Sequence, residues 1–142
     1  MITIITVGTP NLSFAETGIN EYLKRLSRFE KVHMVTIKEN KQTNEKILKE
    51  IGDNFCVVLD EQGSMYSTAE LSLFLEQQKN QSQHCCFVIG GADGHDEIIR
   101  NRADKLWSLS RLTFPHDIAT LLCTEALYRS ASILAGHPYH RA

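Results

Sequence analysis

Neither sign of charge dominates this chain: 15 Lys and Arg stand against 17 Asp and Glu, a formal net charge of −2. The balance argues against blanket nucleic-acid binding through a highly basic surface, so any polyanion site must be a local patch. Long uninterrupted apolar runs are also missing. The richest, toward the carboxyl end, is broken by Asp117, Glu125 and Arg129, which argues against a membrane span. The opening Met1-Ile2-Thr3-Ile4-Ile5-Thr6-Val7 has no basic leader segment and runs into Gly8 like a first strand, so a cytoplasmic protein is expected. Cysteine is scarce. Cys56, Cys85, Cys86 and Cys123 all sit inside apolar runs with no CxxC and no histidine at ligand spacing, so they read as reduced core residues and no metal is implied. No GxGxxG follows the first strand, and no acidic residue stands some twenty positions on, which argues against a conventional dinucleotide site.

What is present alternates. Short β-branched runs at Ile2–Gly8, Val32–Lys38, Phe55–Asp60 and Cys85–Gly90, with a weaker one near Leu106–Ser110, read as strands. Between them, Ile19, Tyr22, Leu23 and Leu26 mark a first helix, and Ile47, Leu48 and Ile51 a short second one. Ser67-Thr68-Ala69-Glu70 is a capping box ahead of a third. A fourth follows Gly94, and a long last helix runs from about Pro115 to Ala135, with Gly136 at its end. Strands alternating with helices over 142 residues predict one α/β domain, 1–142, with a mostly parallel sheet covered on both faces.

In such sheets ligands lie at the carboxyl ends of the strands. Gly8, Gly63 and the run Gly90-Gly91-Ala92-Asp93-Gly94 fall there, as pocket loops or simply as strand-to-helix turns. The last helix has no continuous polar face: Ile118, Leu121, Leu122, Ala126, Leu127, Ile133 and Leu134 surround it. Glu125 and Arg129 are spaced on it for an i,i+4 ion pair. It is read as the interface of a homodimer, with a fully internal core helix as the competing explanation.

The chain closes on His137-Pro138-Tyr139-His140-Arg141. Pro138 stiffens this tail, Tyr139 offers a stacking face, the histidines can exchange protons near neutral pH and Arg141 can grip a phosphate or carboxylate. That chemistry suits an anionic or nucleobase ligand. Helix punctuation followed by a solvated end is the competing explanation.

Several of these stretches together resemble one family. Phe87-Val88-Ile89-Gly90-Gly91-Ala92-Asp93-Gly94, Leu109-Ser110-Arg111-Leu112-Thr113-Phe114-Pro115-His116, Leu127-Tyr128-Arg129 and the closing tail resemble the bacterial ribosomal large-subunit RNA methyltransferase H family. The likeness extends through Val7-Gly8 and Glu21-Tyr22-Leu23-Lys24-Arg25-Leu26, and so covers essentially the whole chain. The resemblance implies a SPOUT α/β fold whose carboxyl-terminal part threads into a trefoil knot, working as a homodimer. It implies methyl transfer from S-adenosylmethionine to N3 of a pseudouridine in large-subunit ribosomal RNA within the assembled ribosome.

Carried over residue by residue, the resemblance places the cofactor against Leu59, Gly91, Ser110, Arg111, Leu112, Thr113, Phe114 and Pro115. Leu112 and Phe114 could instead be ordinary core at the helix entry. Catalytic roles fall to His140 and Tyr139, or to His116, as a proton relay, with Arg141 gripping a phosphate or orienting the base. Lys24, Arg25 and Arg28 form one candidate RNA patch and Arg100, Arg102 and Lys105 another, each otherwise a solvated face. Many relatives carry an arginine early in the last helix, where this chain has Asp117-Ile118-Ala119-Thr120, which puts local RNA grip or dimer packing in doubt. Two other functions stay open: a SPOUT methyltransferase with another RNA target, and a non-catalytic ribosome-binding protein.

Overall fold

A computed structural model describes residues 1–90 and 95–140. Five parallel strands, β1 (Ile2–Val7), β2 (Val32–Ile37), β3 (Phe55–Met65), β4 (Cys85–Ile89) and β5 (Lys105–Ser108), form one sheet in the order β2-β1-β4-β3-β5. Five helices connect and follow them: α1 (Ser13–Leu26), α2 (Thr43–Ile51), α3 (Thr68–Asn80), α4 (Glu97–Arg102) and α5 (His116–Leu134).

Strand alternation divides the core. Ile2 and Ile4 of β1, Val57 of β3, and Phe87 and Ile89 of β4 pack with Leu26 of α1, Leu71 and Leu75 of α3, and Leu127 and Ala131 of α5. Ile5 and Val7, Cys56 and Val58, and Cys86 and Val88 face the other way, onto Ile47 and Ile51 of α2 and Ile99 of α4. Side chains on a strand point alternately to its two faces, so strands buried on both sides read as continuous apolar runs. The result is a three-layer stack with α1, α3 and α5 on one face and α2 and α4 on the other.

All four cysteines are free and buried, as expected, and burial pushes the Cys56 and Cys123 thiols up to about 12. The capping box also forms: Ser67 Oγ accepts from the Glu70 amide at 3.1 Å, and the Glu70 carboxylate accepts from the Ser67 amide at 3.0 Å. Gly136, at φ +72°, ends the last helix in a left-handed conformation that only glycine adopts freely.

Strand β3 departs from expectation by continuing to Met65 rather than stopping near Asp60. Its pairing with β5 breaks after Leu59↔Trp107 and resumes at Ser64↔Trp107, so 60–63 are thrown out of the sheet as a bulge. Gly63 makes this possible. A Cβ there would stand 2.6 Å from the Leu106 carbonyl carbon and oxygen, too close for any side chain. The sequence Asp60-Glu61-Gln62-Gly63 looks like a turn because its polar and glycine chemistry serves the bulge.

Helix α5 inverts the usual polarity. Thr120, Thr124, Ser130 and Ser132 are fully buried, and three of the four hydroxyls bond to carbonyls of their own helix, those of His116, Leu121 and Arg129. Meanwhile Leu122 and Leu134 are each 38% exposed. Among the described residues, no helix is long and apolar enough to cross a membrane.

Candidate active site

The carboxyl ends of β1, β3, β4 and β5 open into a crevice of ≈ 1140 Å³. Its floor is Gly8, Leu59, Ile89 and Gly90, and its outer wall is the loop that leads from β5 into α5. That loop is held rigidly. Ser108 Oγ donates to the Ser110 carbonyl at 2.8 Å, and Ser110 Oγ accepts from the Leu112 amide at 3.0 Å. Thr113 Oγ1 donates to the Glu61 carboxylate at 2.7 Å. Arg111 donates to the carbonyls of Glu61 and Gly63, the latter at 3.1 Å, so the loop and the β3 bulge brace one another.

Leu59, Ser110, Leu112, Thr113, Phe114, Pro115 and His116 are therefore brought together around one cavity. Leu112 is 70% exposed, so it is not core at the helix entry but an apolar surface at the lip. Arg111 is placed differently from its neighbours: its guanidinium is spent on the bulge and does not line the cavity. Gly91 lies outside the described residues, as does Arg141.

At the start of α5, Asp117 is only 6% exposed. Its Oδ2 accepts from the amides of Asn11 and Leu12 at 2.7 and 2.8 Å, and its Oδ1 stands 3.2 Å from His116 Nδ1. Burial pushes this carboxyl up, but the two amides and His116 pull harder, and the net effect is below its ordinary value. This carboxylate pins the loop after β1 to α5. His116 Nε2 is buried beside the cavity with no hydrogen-bond partner among the described residues.

The fold, a crevice at the strand ends and a braced loop before the last helix agree with what a family model matches over residues 1–140, described as "Predicted SPOUT methyltransferase". The chain belongs to the SPOUT methyltransferase family. It is 45% identical over 141 residues to Ribosomal RNA large subunit methyltransferase H of Deinococcus radiodurans, covering 97% of each chain. It is 37% identical over 140 residues to the protein of the same name from Thermus thermophilus, covering 99% of this chain and 98% of that one.

Among solved structures, a probable methyltransferase from Bordetella pertussis Tohama I superposes with a TM-score of 0.62 at 8% identity, over 92% of this chain and 95% of that one. The SpoU methyltransferase AviRb from Streptomyces viridochromogenes, solved in complex with AdoMet, gives 0.51 at 12% identity, over 96% of this chain and 58% of that one. At such identities these two structures speak for the fold.

Within this SPOUT chain the tail lies at the other end of α5. Arg129 stands thirteen positions beyond His116, roughly 20 Å at about 1.5 Å per residue. There the Tyr139 ring packs tilted against Tyr128, with centroids 4.5 Å apart, and its hydroxyl donates to Glu125 Oε1 at 3.2 Å. Arg129 bonds to Glu125, covers the Tyr139 ring at 5.0 Å and reaches His140 Nδ1 at 3.0 Å. Burial, then Tyr22 and Glu125, push the Tyr139 hydroxyl up, so it stays protonated as a donor. Tyr139 and His140 are therefore not at the crevice of their own chain.

The second basic cluster is committed inside the fold. Arg100 pairs with Asp60 at 2.8 Å, Arg102 holds Asp104 and the carbonyls of Gly52 and Asn54, and Lys105 sits 4.9 Å over both the Tyr66 and Phe74 rings. In the first, Arg25 pairs with Glu21 at 3.0 Å, while Lys24 and Arg28 are exposed. Sequence reasoning missed His95, which lines the crevice. Burial, opposed by Asp60, holds its imidazole below the ordinary value. Its place just after the glycine run was the available signal.

Proposed function

We propose that this chain is a single-domain, homodimeric methyltransferase that uses S-adenosylmethionine to methylate N3 of a pseudouridine in large-subunit ribosomal RNA. It acts in the cytoplasm on the assembled ribosome, and its carboxyl-terminal part follows the trefoil-knotted path that the family likeness implies. The observation that carries this reading is the crevice at the strand ends, walled by a braced loop of the residues matched to the cofactor site. Relatives 37 to 45% identical over nearly their whole length carry the ribosomal RNA methyltransferase name and support the substrate class.

The cavity suits the cofactor. Leu59, Leu112, Phe114 and Pro115 offer apolar surface, Gly90 lets the backbone approach closely, and Ser110 and Thr113 present polar backbone and hydroxyl groups. When bound, S-adenosylmethionine supplies an electrophilic methyl carbon on a sulfonium that departs as a neutral thioether. The protein's task is then to hold the base in line and give the N3 proton somewhere to go. His116 presents an unpartnered Nε2 beside the cavity, with Asp117 holding the opposite nitrogen. Tyr139 and His140 belong to the far end of α5 and reach a crevice only by way of a second protomer.

Packing favours that second protomer. A helix that buries hydroxyls and exposes Leu122 and Leu134, beside Phe14 of α1 at 61% exposure, presents apolar surface for another copy. Two copies packed with antiparallel α5 helices would set each tail beside the partner's crevice. The exposed Lys24 and Arg28, at and just after the end of α1, would double in the dimer as the RNA-facing patch.

The deciding experiment is labelled-methyl transfer to ribosomes lacking the modification, with and without the pseudouridine in place. Incorporation is expected only when pseudouridine is present. Equal incorporation into both refutes the base assignment, and none into either refutes the enzyme.

A further inference from the structure

The tail is seated on its own α5 rather than left as a loose end. His137 sets its ring edge-on to Phe29, with centroids 5.6 Å apart, and the Tyr139 ring packs against Tyr128. Beyond them runs a chain of polar contacts. The Glu125 carboxylate accepts from Arg129 Nε at 2.8 Å, pairs with Nη2 of the same guanidinium and also takes the Tyr139 hydroxyl. The remaining arm of the guanidinium, Nη1, stands 3.0 Å from His140 Nδ1.

That last contact decides where the imidazole carries its proton. Arginine has five N–H donors and no acceptor, so Nδ1 is the acceptor and the neutral ring is protonated on Nε2. An imidazolium would set N–H against N–H at the same place. Held in this way, His140 has no free lone pair with which to take a proton, and it presents one N–H donor. Tyr139 is likewise committed, as a donor to Glu125. A proton relay through the tail does not fit this arrangement, whereas a hydrogen-bond donor does.

We propose that His140, carried into the partner's crevice by the dimer, donates its Nε2–H to a carbonyl oxygen beside N3 of the target base, and that Arg129 is the positioning residue that fixes this tautomer. The inference rests on the homodimeric methyltransferase reading above and gives the tail a chemical task within it. As N3 gives up its proton, on the side of the crevice where His116 stands, the electron pair left on N3 spreads onto the two flanking carbonyl oxygens. That pair forms the new N3–carbon bond, and the methyl carbon's former pair leaves with the thioether sulfur. An N–H already aimed at the oxygen favours the developing anion over the neutral imide, and such donors act most strongly where water is excluded. Because the Glu125–Arg129–His140 chain is built on one protomer, the ring arrives with its donor set.

Amide side chains separate a donor from a base. His140→Gln puts an amide N–H near the place of Nε2, a donor with no basicity, whereas His140→Asn puts it near Nδ1 and His140→Ala supplies none. Methyl transfer to unmethylated ribosomes is measured with full-length protein shown to be dimeric by light scattering. The crevice is checked by titrating S-adenosylhomocysteine against the fluorescence of Trp107, the single tryptophan. His140→Ala and His140→Asn are expected to lower kcat about 100-fold, as when one preorganised donor is removed, while His140→Gln stays within about tenfold of wild type. Arg129→Met should lower kcat about tenfold while KM for ribosomes and S-adenosylhomocysteine affinity stay within about twofold of wild type. Should Arg129→Met fail to dimerise, the proton–nitrogen multiple-bond spectrum of histidine-labelled wild-type protein carries the same expectation. Above the ordinary histidine value of about 6.5, it should show His140, assigned by its loss in His140→Gln, with Nε2 protonated and Nδ1 bare. Equal kcat in His140→Gln and His140→Ala, whether both low or both normal, overturns the proposal, as does a spectrum with the proton on Nδ1. A rise in KM alone in Arg129→Met gives the guanidinium to an RNA phosphate and overturns its positioning role. Failure of the methyltransferase reading looks different: the wild-type protein itself would transfer no methyl group to any ribosome.

Discussion

At its first turn, α5 sinks the Asp117 carboxylate onto two backbone amides of the loop after β1; from its middle onward, it holds Glu125 and Arg129 partly exposed to grip the tail. The first arrangement is buried and ties elements far apart in sequence, so its loss leaves donors without partners inside the protein. The second is partly solvated and joins neighbours on one helix, where exposed pairs contribute little stability. The comparison teaches that the amino end of α5 holds the fold together, while the carboxyl end is available for recognition at small cost to stability.

The sharpest way to break this contrast is to remove residues 137–142. Methyl transfer should fall by about 100-fold or more, as expected when positioning groups are lost. S-adenosylhomocysteine binding should persist, and stability in urea should change by only about 1 kcal/mol, the scale of one or two hydrogen bonds. Full activity in the shortened chain would show that the tail has no catalytic part.

Asp117→Ala should do the reverse, destabilising the protein by about 3 kcal/mol because two buried amides lose their acceptor. The pH dependence has a definite sign. Since the folded pKa of Asp117 is depressed, its stabilisation is complete above its ordinary value of 3.8 and fades as pH falls through the lower folded value. Urea unfolding of both proteins should therefore show a gap that is full at pH 7 and closes in strong acid. A gap that stays constant with pH would remove the carboxylate from the explanation.

Gly63→Ala tests the crevice wall without touching either end of α5. With the new Cβ facing Leu106 backbone at 2.6 Å, a loss of about 2 kcal/mol is expected, together with weaker S-adenosylhomocysteine binding as the bulge shifts. Tyr139→Phe is the mildest change. It removes one half-buried hydrogen bond to Glu125, and its thermal midpoint should correspond to a loss of less than about 1 kcal/mol. If Tyr139→Phe proves more destabilising than Gly63→Ala, the division of labour along α5 is wrong.

Much of this architecture is legible in the chain because it is local. The doubly buried strands announce themselves as β-branched runs, Ser67 and Glu70 cap α3 across three positions, and Gly136 stops α5. What stayed hidden depends on distant partners. Asp117 reaches Asn11 across 106 positions, and nothing near either residue signals it. Arg100 and Arg102 look like a basic patch until Asp60 and the Gly52 and Asn54 carbonyls are seen beside them. The stretch around Ser110 to Pro115 was legible as a ligand loop, but the duty of Arg111 as its brace needed the bulge of β3, which resembles a turn in sequence.

The four thiols carry a kinetic consequence. Being buried and hard to ionise, they react with an alkylating reagent only during openings of the native structure. Cys56 and Cys86 report on the layer beneath α2 and α4, whereas Cys85 and Cys123 report on the layer that contains α5. The order in which they are labelled is thus a built-in clock, recording which side of the sheet loosens first and how often.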